Sequence, residues 1–261
     1  MAKTGGWIAF PHGNSAFVYD GAALKKNWAR LHKGDAEPFP TDKGVEEAWR
    51  LFHAGDFEGA YVAGLAAGLD GYNAANKAAC IYNNYLETSD AKKQKAYEEI
   101  AARCEELQAA QKKNANAYYL AAYALGRYGQ LIGVAKALTQ GIGGKVSTAL
   151  NTALKLEPKH ADAHIALGTF NAEVIEKVGS LIGKMTYGVS KEAAVENYDI
   201  ALKLNPESAV ARTEKADGLY KLFGDKKMKD VEALYGEAAA SEPRDAMECL
   251  DVEAAKAEME D

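Results

Sequence analysis

The sequence predicts an all-α protein: a solenoid of paired helices with degenerate repeats, glycine-rich inserts and a C-terminal capping helix. Three helix endings predict it. Val146, Leu150, Ala153 and Pro158 recur as Ala194, Tyr198, Ala201 and Pro206, and again as Val231, Tyr235, Ala238 and Pro243, at spacings of four, three and five. Small residues let paired helices approach, the large one fills the space between repeats, and proline, lacking an N–H, stops the helix. Composition agrees, with 48% hydrophobic and 26% charged residues and only six prolines in 261. A repeat array grows by stacking, so one continuous array over 44–261, preceded by an N-terminal cap or extension over 1–43, is the simplest organisation.

The extension holds PHGN, a helical run from Ala22 to His32, and GDAEPFPTDKG, which Pro38 and Pro40 keep extended. Trp7, Phe10, Phe17 and Trp28 are expected to seat it on the first repeat. From Val45, Ala48, Leu51 and Phe52 share one face; Gly55 and Asp56 break the run, and Phe57, Ala60 and Tyr61 resume it, which predicts a helix, a turn and an antiparallel partner. Helices follow over about 72–87 and 90–112. The second carries Tyr97, Ile100, Ala101, Cys104 and Leu107 at steps of three and four, with Asp90 as N-cap. Asn114 is placed to cap the helix that carries AYYLAAYALGRYGQ.

After Pro158, Leu167 and Gly168 fit a first-helix repeat pattern, while His164 and Asn171 replace its aromatics; after Pro206 the places hold Arg212, Lys215, Ala216 and Leu219. Pro158 and Pro206 are 48 residues apart and Pro206 and Pro243 only 37, so the first interval holds an insertion between the helices of one repeat. It contains GSLIG (179–183), and the preceding repeat contains GQLIG (129–133), which predicts an internal duplication with a shared loop. Asp245-Ala-Met-Glu248 reads as a capping box opening the last helix. Met247, Leu250, Ala254 and Ala257 are its expected buried stripe, with an acidic face opposite.

The net charge is −6, and six acids stand against Lys256 between Glu248 and Asp261, which argues against a nucleic-acid partner. Lys92, Lys93, Lys95, Lys112 and Lys113 are interrupted by Glu98, Glu99, Glu105 and Glu106, as on a solvated helix face. Cys80, Cys104 and Cys249 form no CxxC pair and are expected to be reduced and buried. The apolar run Trp7 to Phe10 is too short for a signal peptide, and no stretch offers the ~18 apolar residues of a membrane span. The expectation is a cytoplasmic protein without membrane insertion, or a periplasmic one only where a leader has been removed.

GIGGK (Gly141 to Lys145) precedes a helix, where backbone N–H groups can hold an anion. It is not a phosphate-binding P-loop, because Thr139 and Val146 occupy the places of its first glycine and its Ser/Thr. A flexible interhelical turn is the competing reading. In HADAH, His160 and His164 are four apart without the glutamate of HExxH, so a packed or capping histidine competes with a metal ligand. Tyr123, Arg127, Tyr128, Lys136, Lys145, Lys184 and Tyr187 gather in and beside the two inserts. Cations among tyrosines and glycines suit a carboxylate or phosphate ligand in a helical groove; solvated helix ends are the alternative. No local Ser-His-Asp, Cys-His or GxSxG pattern occurs, so the expectation is a non-enzyme without metal or cofactor.

The small-large-Ala-Pro pattern resembles the second helix of a tetratricopeptide repeat (TPR). AGDFEGAY, NKAACIY, AYALGRYGQ, QGIGGKV, HADAHIALG, AEVIEKVGSLIG, MTYG and EPRDAMECLDVE resemble segments of uncharacterised proteobacterial TPR proteins. The glycine-rich insert followed by ALKLNP is more distantly similar to the T component of tripartite ATP-independent periplasmic transporters and to the eukaryotic regulators of microtubule dynamics. The T component is an exported lipoprotein; this chain has no lipobox, and its first cysteine is Cys80. The resemblance implies a scaffold that binds a protein or peptide partner in its concave groove, homo-oligomers being compatible with it. The alternative is a small-ligand carrier whose inserts wall a pocket for an anionic ligand. An open polar groove would mark the first and an enclosed cavity the second.

Overall fold

The computed structural model describes residues 6–260; Met1–Gly5 of the extension and Asp261 of the acidic tail lie outside the described residues. The chain forms α1 (Ala22–Leu31), α2 (Lys43–His53), α3 (Phe57–Ala66), α4 (Tyr72–Tyr85), α5 (Asp90–Ala110), α6 (Ala115–Ile132) and α7 (Val134–Thr139). It continues with α8 (Ile142–Leu156), α9 (Ala161–Tyr187), α10 (Lys191–Leu204), α11 (Ala209–Phe223), α12 (Met228–Ala239) and α13 (Ala246–Glu258). There is no strand among the described residues. From α2 onward helices pack on their neighbours in sequence, and α6 reaches past α7 to α8 as α9 reaches past α10 to α11, which is the stacking of a TPR-like helical solenoid.

The repeated residues make the seams. Ala153, Ala194, Ala201 and Ala238 have no exposed surface, and the fully buried Tyr198 lies between Gly168 of α9 and Gly218 of α11. A Cβ at Gly168 would come 2.8 Å from the Tyr198 ring and one at Gly218 2.5 Å from its hydroxyl oxygen. Glycine on both sides is what admits so large a residue. Its hydroxyl is satisfied by Thr169 at 3.1 Å.

Helix ends follow local chemistry with two corrections. Asn114 Oδ1 accepts from Ala117 N, as expected, but α5 is capped by Ser89 rather than Asp90, its hydroxyl facing Lys92 N. Ser89 has the extended backbone a cap requires, whereas Asp90 is already helical. At α13, Asp245 accepts from Glu248 N at 2.8 Å, but Glu248 does not reach back to complete the box. Its carboxylate takes the Arg30 guanidinium through two bonds of 2.6 and 3.1 Å instead, and the Arg244 N–H.

The two inserts are built differently. In GQLIG the break comes at the second glycine, Gly133 (φ 93°), after which α7 begins; in GSLIG it comes at the first, Gly179 (φ 79°), which kinks α9. The shared loop expected from the sequence is therefore absent from these two segments. Each insert adds one short helical piece, and the two pieces touch where Tyr187 and Leu138 crowd Gly143.

The two ends of the solenoid meet. Ala246, Cys249 and Leu250 of α13 share a core with Phe17, Trp28, Trp49 and Phe52 of the N-terminal part. Arg30 joins Glu248 to Glu207 of the α10–α11 turn (2.6 Å), and Asp245 meets His53 Nδ1 at 2.7 Å. His53 Nε2 faces His32 Nε2 at 3.2 Å, His32 Nδ1 meets Asp35 at 2.9 Å, and Lys77 of α4 closes the chain on Asp35. Asp162 N then donates to Gly34 O at 2.9 Å. Trp7, which precedes all of this, stacks on Tyr82 with centroids 4.1 Å apart.

Candidate functional site

Closure changes the concave side of the solenoid. With α13 across it, the space lined by α1, α4, α6, α7, α8, α9, α11 and α13 becomes a half-open cavity with ≈ 160 Å³ for the centres of water-sized molecules. That is far more than a single bridging water needs. Ile81, Leu120, Val146, Leu150, Ile165 and Val174 give it apolar walls. These are inward residues of repeat helices, so the repeat pattern that builds the solenoid also makes its inner surface greasy.

Charges are set into this wall in tied groups. Arg127 on α6 donates to Glu214 of α11 at 2.9 Å and to Gln130 at 3.1 Å, and lies 5.3 Å from the Tyr123 ring centre. Glu214 also accepts from Thr169 at 2.8 Å, while Gln130 donates to Glu173 at 2.7 Å. Opposite, Lys77 lies within 3.8 Å of Asp162 besides its bond to Asp35. Burial works against the Lys77 charge, but Asp35 and Asp162 outweigh it and hold the ammonium charged.

Asp251 of α13 stands apart from these groups. It is buried on the cavity wall, accepts from the Tyr85 hydroxyl, and no ion pair joins it to a cation among the described residues. Burial, with the nearby Glu248 and Asp245 charges adding to it, pushes its carboxyl up to about 8, although the Tyr85 bond pulls the other way. Asp162 is raised to about 6, by burial first, with Lys77 opposing. The lining as a whole carries Asp162, Glu173, Glu214, Glu248 and Asp251 against Lys77 and Arg127.

Of the sequence-selected residues, Tyr123 and Arg127 line this cavity. Lys136, Lys145 and Lys184 are exposed on the outside of the insert region, Tyr128 is a half-buried residue near Glu98, and Tyr187 packs between Leu138 and Phe170. GIGGK is not a free nest: Gly141 (φ 76°) caps α8, and Gly143 is buried against Leu138 and Tyr187. In HADAH, His160 caps α9 through Ala163 N and bonds Asn116 at 2.8 Å; His164 bonds Asn197 at 2.7 Å. Both histidines are structural.

Asp251, Tyr85, Thr169 and Glu214 carry no local signal in the sequence. Asp251 belongs to a run of acids that the expected stripe of α13 turned to solvent. The stripe is in fact Ala246, Cys249, Leu250, Asp251, Val252 and Ala255, while Ala257 is exposed, because α13 is covered on two sides. Cys80, Cys104 and Cys249 are free and buried, as expected. No helix among the described residues is long and apolar enough to cross a membrane.

In comparisons with known proteins, no family model matches the chain, and no curated protein matches it in sequence. Among solved structures it is similar to a thermophilic TPR protein from Thermus thermophilus, with a TM-score of 0.57 and 15% identity over 82% of this chain and 97% of that one. The likeness is one of fold: both are TPR-like helical-repeat structures.

Proposed function

We propose that the protein is a non-enzymatic binding protein whose half-open cavity takes a small ligand with an apolar body and a cationic, amine-like end. The observation that carries this reading is Asp251: a buried carboxyl in an apolar cavity, with Tyr85 as its partner and, among the described residues, no cation paired to it. Burial keeps this carboxyl largely protonated at neutral pH, and an ammonium group supplied by a ligand would let it ionise without leaving a buried charge unpaired. The excess of acids in the lining favours the same sign of charge. An anionic ligand, expected from the sequence, would meet an Arg127 already committed to Glu214 and Gln130. A peptide laid along the concave groove, the other expectation, would compete with the chain's own α13 for that surface.

The test is thermal unfolding with n-hexylamine, n-hexanol or n-hexanoate. Binding to the native state raises the melting temperature. The amine is expected to stabilise most, hexanol less and hexanoate least. Asp251→Asn should erase the amine's advantage over hexanol while leaving hexanol's own effect. Stabilisation by hexanoate above the amine, or no response to any of the three, would overturn the proposal.

A further inference from the structure

The short helical piece that follows Gly179 is built inside out. Leu181, Ile182 and Met185 are 74%, 57% and 80% exposed, whereas the residue turned inward is Gly183, where a Cβ would press on Val189 at 2.8 Å. At 3.6 residues per turn, positions 181, 182 and 185 fall on one face. A surface helix ordinarily keeps that face polar, so three large apolar side chains there mark a surface that meets something other than water.

The charge around this knob is as biased as its hydropathy. No Asp or Glu occurs from Leu107 to Leu156, nor from Lys177 to Lys191, in a chain whose net charge is −6. The two acid-free stretches come together here, because Tyr187 at the end of α9 contacts Leu138 of α7 and Gly143 in the first turn of α8. Lys136, Lys145, Lys177 and Lys184 are all exposed on these two stretches, and Glu176 lies 3.7 Å from Lys177.

We propose that this end of the molecule docks on an anionic lipid surface, with Leu181, Ile182 and Met185 entering the headgroup region and the surrounding lysines held at the lipid phosphates. The shape selects a bilayer over a protein partner. A protruding apolar knob needs a matching pocket on a protein but none on a lipid surface, which yields around it. Each lysine near such a surface contributes attraction that salt weakens. The hinge at Gly179 (φ 79°, ψ 159°) sets the knob off from the rest of α9, so replacing its outward side chains leaves the solenoid seams untouched.

Co-sedimentation of the full chain with vesicles tests this. The protein should bind phosphatidylcholine–phosphatidylglycerol vesicles at low salt, lose that binding at high salt, and bind pure phosphatidylcholine at least about tenfold more weakly. Lys177→Glu with Lys184→Glu, and separately Leu181→Asn with Ile182→Asn and Met185→Gln, should each lower the affinity by about tenfold or more with helicity unchanged. Lys112→Glu with Lys113→Glu, at the α5–α6 turn and so at the other end of α6 from the insert, should not match that loss. Failure of the wild type to bind the anionic vesicles overturns the proposal, as does binding that survives both sets of knob variants. So does a wild-type dimer that the apolar variant converts to monomer, which would make the knob a contact between copies of the chain.

Discussion

Asp251 and the buried histidines give stability opposite dependences on pH. Asp251 titrates near 8 in the folded chain against an ordinary 3.8, so the folded state holds its proton longer and stability is lost as pH rises through that interval. Glu37, also raised to about 8 by burial and then by Asp35, acts in the same direction. His32 and His160 are pushed down to about 4 by burial, so the unfolded chain takes up their protons first, and stability is lost as pH falls from 6.5 toward 4. Below pH 6.5 the two sets oppose each other, and above it the carboxyls act alone. Stability should therefore fall between about pH 6.5 and 8, with Asp251 contributing on the order of 2 kcal/mol over that window. Denaturant unfolding at the two pH values should show a smaller loss for Asp251→Asn, a neutral isostere that still accepts from Tyr85. An unchanged pH dependence in that variant would mean that Asp251 is ionised throughout.

At the scale of the element, the seam around Tyr198 makes a prediction whose sign depends on the partner. Gly218→Ala places a Cβ against the Tyr198 hydroxyl while Gly168 closes the other side of the ring, so the ring has nowhere to move. Overpacking of this kind costs about 1 to 3 kcal/mol. In a Tyr198→Leu background the obstruction is gone, and Gly218→Ala should become neutral or stabilising, since alanine is the better helix former by about 1 kcal/mol. A cost that persists in both backgrounds would place the strain in α11 itself. This seam was legible in the sequence because its signature is local: a large residue between small ones, then a proline. The helix ends were legible to within two residues: Ser89 against Asp90 at the start of α5, and ends at 85 and 110 where 87 and 112 were expected. The two glycine-rich inserts were legible as insertions but not as structures, because the motif does not say which glycine adopts positive φ. The cavity was less legible still. Its walls come from eight helices, and Asp251 looks like any other acid on a terminal helix until Tyr85 of α4 is in place against it.

At the scale of the molecule, the question is what closure does to an array of repeats. In an open solenoid each repeat contacts only its neighbours, and the ends fray independently. Here the first and last helices share a core, and Arg30 ties α1 to both Glu207 and Glu248 across 177 and 218 residues of sequence. Such pairs have no local signature, which is why a terminal cap was the sequence expectation for α13. Arg30→Ala removes the guanidinium and leaves Glu248, whose carboxyl burial already raises, without its cation. Charge-assisted bonds of this kind contribute about 1.5 to 3 kcal/mol each, discounted here because Arg30 is partly exposed. The distinguishing consequence is where the loss shows. In native-state hydrogen exchange, Arg30→Ala should lower protection in α2 and in α12–α13 together, though they lie at opposite ends of the chain. The central helices α5 and α6 should keep theirs. Protection lost only around α1 would mean that the ends merely touch, that the array behaves as an open solenoid, and that its cavity is a groove covered by an independently mobile α13.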